Sequence, residues 1–154
     1  MSALINSSTD KLVVRFFEDD DGVGHLWVSG SARGFAGTGE AWMDTAVLAE
    51  FAQALTRYPI SESNLPTLSG GFLFSDREDL KQENVFLQVY PADAVGHLRF
   101  HVRLATEVWP PELIRSQHRV QLEIRTGYQA LLEFSRMLNA LILGKADEAV
   151  LIGD

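Results

Sequence analysis

Four histidines are the first residues in this chain that could hold a metal or move a proton. His97 and His101 fall four apart in a stretch that alternates like a strand, so both leave the same face. At about 3.3 Å per residue they stand roughly 13 Å apart, too far to share one ion. His25 and His118 are isolated. We read all four as surface or turn histidines. The chain has no cysteine, which excludes disulfides and thiolate metal sites.

The other chemistry-bearing patterns are incomplete. Gly34-Phe35-Ala36-Gly37-Thr38-Gly39 is rich in glycine. A phosphate cradle needs such a loop directly before a helix, followed by Gly-Lys-Ser/Thr. Here it lies inside or before a strand, which suits a bulge or close backbone packing. Ser29-Gly30-Ser31 is not a nucleophile elbow. Glu40 and Glu107 could meet as a carboxylate pair, but no spacing requires it. Asp19-Asp20-Asp21-Gly22 lacks the downstream glutamate of a calcium loop and reads as a solvated turn. We expect no catalytic residue, no metal and no cofactor.

The arginines are more informative. Arg99, Arg103, Arg119 and Arg125 should project from adjacent strands on one wet face, with Gln121 and Glu123 among them. Such a face is either solvated, with cross-strand ion pairs, or an interaction surface, because arginine binds carboxylates bidentately and is favoured at interfaces. The Trp109-Pro110-Pro111 loop beside it offers an aromatic anchor, unless the ring packs into its own loop.

These residues need elements to position them. Lys11 to Phe17 and Gly24 to Ser31 read as a hairpin across the Asp/Gly turn, and a third strand runs from Phe35 to Met43. Asp44 or Thr45 is placed to cap a helix with Leu48, Phe51, Ala52 and Leu55 on one stripe, stopped before Pro59. Strands are expected over Thr67 to Ser75, Asn84 to Tyr90, His97 to Thr106 and His118 to Arg125. Leu98, Phe100, Val102 and Leu104 give the clearest period of two. A last helix spans Gly127 to Leu143, with Gly144 as its C-terminal stop. The expected fold is α+β: a mostly antiparallel sheet of six to seven strands with two helices on one face, order βββα-ββββα, in a single domain over residues 1–154.

Composition agrees. The chain has 154 residues, 46% hydrophobic and 22% charged, and a net charge of −8. Residues 1–94 carry 14 acids and 6 bases, and residues 95–154 carry 7 of each. The acids cluster at Glu18 to Asp21 and at Asp76, Glu78, Asp79 and Glu83. So acidic a surface repels phosphate backbones, which argues against nucleic acid. No apolar run approaches the roughly 20 residues of a membrane span, and the N-terminus lacks a signal-peptide pattern. The expectation is a cytoplasmic protein without a membrane. An exposed edge strand would allow a homodimer.

Phe35-Ala36-Gly37-Thr38-Gly39-Glu40-Ala41-Trp42, leading into the helix of Leu48, Phe51 and Leu55, resembles the F-x-G-x-x-E-x-W signature of small bacterial proteins. That group includes the WapI-type immunity proteins of polymorphic toxin systems and related families. The resemblance implies a non-enzymatic protein that binds and neutralises a toxin. It also implies structural roles for Phe35, Gly37, Glu40 and Trp42: ring packing, a close strand and a buried acceptor. No partner-binding residue carries over from it.

Three functions follow as expectations. The first is a protein-binding module using Arg99, Arg103, Arg119, Arg125 and Trp109, with another protein, a toxin in the immunity-like case, as partner. The second is a small-ligand binder with a pocket between sheet and helices lined by Trp27, Trp42 and Tyr90. The third is a hydrolase built from scattered carboxylates and histidines.

Overall fold

The computed structural model describes residues 9–19, 21–72 and 82–154. Alternating apolar residues produce eight strands among these: β1 Lys11–Glu18, β2 Val23–Ala32, β3 Phe35–Asp44, β4 Thr67–Phe72, β5 Gln82–Pro91, β6 His97–Ala105, β7 Arg119–Gly127 and β8 Ala149–Ile152. Two helices, α1 Thr45–Ala54 and α2 Tyr128–Ile142, interrupt them. The strands form one antiparallel sheet in the order β7-β6-β5-β4-β3-β2-β1-β8.

The chain is therefore α+β in the order βββα-ββββα, with β8 added after α2 to pair with β1. The expected end of the fourth strand at Ser75, the acids Asp76, Glu78 and Asp79, and Asp20 lie outside the described residues.

One face of the sheet is dry. Leu12, Val14, Leu26, Val28, Leu98, Phe100, Val102, Ile124 and Leu151 are all buried there. Both helices cover this face. The Phe100 ring makes edge-on contacts with Phe51 of α1 at 6.3 Å and with Phe134 of α2 at 5.8 Å. Ser135 of α2 donates to the Ala52 carbonyl of α1 at 2.7 Å, joining the helices at a buried point.

The helix ends follow their sequence signals unevenly. Gly144 takes a φ of 71° after α2; its N–H donates to the Leu141 carbonyl at 3.0 Å, and that of Lys145 to Ala140 at 2.8 Å. This double bond satisfies carbonyls the helix leaves open. Asp44 does occupy the cap position of α1, but its side chain makes no capping bond. The β1–β2 turn takes over that role. The Thr45 N–H donates to the Gly22 carbonyl at 2.9 Å, and its hydroxyl to Glu18 at 2.7 Å.

The sheet also coils on itself. A Cβ at Gly30 of β2 would touch Val102, Leu104 and Leu122, and one at Gly37 of β3 would lie 2.5 Å from Val120. The inner faces of β2–β3 and β6–β7 thus meet across a gap that larger residues would fill. The edges nearly join as well: the Asp154 N–H donates to the Arg125 carbonyl of β7 at 3.1 Å. Close packing, as expected for the glycine-rich stretch, is what the glycines serve.

Candidate functional site

The outer face of β5–β6–β7 carries the expected arginines in a regular lattice. Strand register sets Tyr90, Arg99 and Arg125 in one row. The next row is Gln88, His101 and Glu123, and the third is Phe86, Arg103 and Gln121. Arg119 follows at the start of β7, opposite Ala105. The structure thus brings Arg99, Arg103, Arg119 and Arg125 onto one face.

Their contacts differ. Arg103 stacks over the Phe86 ring at 3.9 Å and pairs with Glu83 at 3.1 Å. Arg119 Nε donates to Gln117 at 2.7 Å. Arg99 reaches only the Leu98 carbonyl, at 3.5 Å. Arg125 forms no side-chain hydrogen bond or ion pair among the described residues.

Glu123 is the hub of the middle row. The Tyr90 hydroxyl donates to both its oxygens, at 2.8 and 2.7 Å, and His101 Nδ1 lies 2.9 Å away. Partial burial raises the Glu123 pKa, but the bonds from Tyr90 and His101 and the nearby Arg99 charge outweigh it, so the carboxyl titrates lower than usual. The same bond to Glu123 raises the Tyr90 pKa, helped by desolvation. Sequence periodicity put His101 and Glu123 on the right face, but Tyr90 was expected in an inner pocket, and only the register makes the three neighbours.

A carboxyl held below its unfolded pKa stabilises the fold above that pKa, and the contribution is lost as pH falls through the folded value. Glu123→Gln should therefore destabilise the fold at pH 7 by about 1 kcal/mol, given the partial exposure of the site. The gap should narrow as pH falls below the usual glutamate range and close once it has passed the lowered folded pKa of Glu123. Thermal melts of both proteins from pH 7 to 3 measure it. A gap that stays constant across that range contradicts the assignment.

Three histidines sit beside carboxylates. His97 pairs with Asp93 at 2.6 Å, His25 with Glu40 at 3.0 Å, and His101 with Glu123. Such a pair orients an imidazole, as a general base requires. All three lie on the outer surface, and no group of His, Cys, Asp or Glu that could hold a metal is found among the described residues.

The loop after β6 is anchored by buried amides. Gln82 Nε2 donates to the Val108 carbonyl at 2.7 Å, and its Oε1 accepts from the Val108 N–H at 3.0 Å. Asn84 Nδ2 donates to the Ala105 and Thr106 carbonyls. This holds a short 3-10 segment, Pro111–Ser116, at the lower end of the arginine face. There a hollow of about 640 Å³ is lined by Glu83, Arg103, Ile114, Gln117 and Arg119. Trp109 is 66% exposed in the same loop.

The sequence motif residues are placed otherwise than expected. Gly37 does serve a close approach. Phe35, however, is 65% exposed and Trp42 47% exposed. Glu40 is an exposed partner of His25, not a buried acceptor. Strand alternation explains two of these: Glu40 and Trp42 carry outward parity in β3, whereas Phe35 shares the inward parity of Ala41 and Met43 and is exposed as the first residue of the strand, just past the Arg33-Gly34 turn.

The same parity removes one expected pocket. Trp27, Trp42 and Tyr90 stand on the outer face, whereas the helices cover the inner one. Trp27 instead lies under the Arg15 guanidinium, 4.9 Å from its centroid. Trp42 packs against His25, with ring centres 5.1 Å apart, and register adds Phe17 to that row.

No helix among the described residues is long and apolar enough to cross a membrane. Compared with known proteins, the chain matches no protein-family model and no curated protein, so the geometry of the β5–β6–β7 face carries its functional reading.

Proposed function

We propose that this chain is a non-catalytic protein-binding module whose outer β5–β6–β7 face docks an acidic surface of another protein. One observation carries it: on a chain of net charge −8, this face inverts the sign. Its strands present four arginines against two glutamates, Glu83 and Glu123. Both glutamates already accept other hydrogen bonds, from Ser69 and Arg103 and from Tyr90 and His101. Exposed Trp109 and Leu113 lie in the loop that closes the face. Arginine beside an exposed aromatic is the composition of an interface core.

The resemblance of Phe35 to Trp42 adds a finer reading, an immunity-like module with a toxin as its partner. Of its motif positions, Gly37 stands against a close strand as that resemblance implies, whereas Phe35, Glu40 and Trp42 are exposed.

Arg103→Ala combined with Arg119→Ala tests the docking. Affinity for the partner, identified by capture on the purified chain and measured by calorimetry, should fall tenfold or more, about 1.4 kcal/mol. The melting temperature should move by only a few degrees, because exposed ion pairs contribute about 0.5 kcal/mol. Unchanged affinity removes this face as the docking site.

A further inference from the structure

β7 is one rim of the sheet. Just before it, the Thr106 N–H donates to the His118 carbonyl at 3.0 Å, so these two residues form a hydrogen-bonded pair. Antiparallel ladders alternate, which puts Arg119, Gln121, Glu123 and Arg125 in non-hydrogen-bonded pairs with β6. Their backbone N–H and C=O groups therefore point away from β6. Arg125 shows the direction, since its carbonyl accepts from the Asp154 N–H. The backbone groups of Arg119, Gln121 and Glu123 meet no partner among the described residues. The other rim is guarded: β8 has four residues, and the Val150 N–H donates to the sulfur of Met137 in α2 at 3.4 Å.

Open space adjoins the β7 edge along its length. The hollow of about 640 Å³ reaches Arg119, Val120 and Gln121. A second hollow, of about 390 Å³, is lined by Ala32, Arg33, Phe35, Gln121, Leu122 and Glu123. Phe35 has the inward parity of the dry face and is nevertheless exposed there. An uncovered inward ring beside an unpaired edge marks room for one more strand.

We propose that β7 pairs antiparallel with β7 of a second copy of this chain, about a two-fold axis at Gln121. The sequence of the strand argues for that occupant. Arg119-Val120-Gln121-Leu122-Glu123 runs basic, apolar, polar, apolar, acidic. Reversed on itself about Gln121, it sets Arg119 opposite Glu123 of the second copy, Val120 opposite Leu122, and Gln121 opposite Gln121. Opposite charges and apolar pairs so placed stabilise an antiparallel ladder. Sliding by two residues loses this: one direction sets Arg119 opposite Arg125, the other sets Arg119 and Glu123 opposite glutamines. In the Gln121-centred register the three edge residues of each copy form hydrogen-bonded pairs, each exchanging two bonds. Arg119 commits only its Nε, to Gln117, and the Glu123 oxygens keep acceptor sites beyond Tyr90 and His101. The axis stands normal to the sheet, so the arginine faces of the two copies lie side by side and stay uncovered.

Sedimentation equilibrium of the purified full chain over a range of concentrations tests the pairing. The wild type should show a dimer that dissociates on dilution. Gln121→Pro should weaken it by about tenfold or more, because two edge hydrogen bonds are lost. The fold tolerates proline there, since that N–H faces away from β6. Arg119→Glu and Glu123→Lys fix the register. Each alone sets like charges opposite each other and should sediment as a monomer, whereas an equimolar mixture sets unlike charges opposite in both pairs and should dimerise. A wild type that stays monomeric at millimolar concentration overturns the proposal, as does full dimerisation of folded Gln121→Pro. So does a mixture of the two charge variants that remains monomeric. No partner protein enters these measurements, so the dimer and the docking of an acidic partner can fail separately.

Discussion

Phe100→Ala should destabilise the chain by about 4 kcal/mol, a large share of the roughly 5–15 kcal/mol that holds a domain folded. Phe100 is fully buried at the middle of β6. Its ring touches both helices, through Phe51 and Phe134. Truncation removes the buried ring area and two edge-on aromatic contacts worth about 1 kcal/mol each. The cavity left behind is bounded by a sheet and by two helices tied together at Ser135, so it collapses poorly. In urea, with a slope of about 2 kcal/mol/M, the midpoint should fall by roughly 2 M. Phe35→Ala is the control, because that ring is exposed and its loss should cost under about 1 kcal/mol. Equal losses for the two variants would show that Phe100 does not join the layers.

That keystone was legible in the sequence because Leu98, Phe100, Val102 and Leu104 alternate without a break. The helices were legible for the same reason, through apolar residues three and four apart. β8 was not. Ala149–Ile152 is four apolar residues without alternation, and such a run becomes a strand only because β1 offers an unpaired edge. Helix capping was half legible: the position of Asp44 was readable, but the donation of Thr45 to Glu18 depends on a turn far away in sequence.

The site divides along the same line. Parity alone placed Arg99, Arg103, Arg119 and Arg125 on one face. Whether each arginine has a partner depends on register, and register is a property of three strands at once. Hence the Tyr90–Glu123–His101 network was invisible. Parity also predicts the outward Glu40 and Trp42 once Ala41 and Met43 are recognised as the inward set of β3, whereas Phe35 is exposed by its place at the strand's start. Their motif had suggested burial, and the alternation overrules it.

Three glycines on the coiled side of the sheet should respond to alanine in a graded way. A Cβ at Gly30 would find its neighbours at 3.6 Å or more, which is ordinary contact. Gly30→Ala should be neutral, or stabilising by a few tenths of a kcal/mol through the unfolded chain. At Gly37 the new carbon meets Val120 Cγ1 at 2.5 Å. That side chain is half-exposed and can turn aside, so the cost should be about 1 kcal/mol. At Gly39 the new carbon falls on the backbone carbonyl oxygen of Asn84, with Leu104 behind it at 3.3 Å. A backbone oxygen cannot rotate away. Moving it would strain the Asn84 side chain, which is fully buried and holds the loop through Ala105 and Thr106. Gly39→Ala should therefore cost about 3 kcal/mol or more, a fall of roughly 10 °C in melting temperature for a chain of this length. Thermal melts of the three variants read the series directly. If Gly39→Ala melted with Gly30→Ala, the two halves of the sheet would not be in contact, and the coil that sets the shape of the arginine face would be wrong.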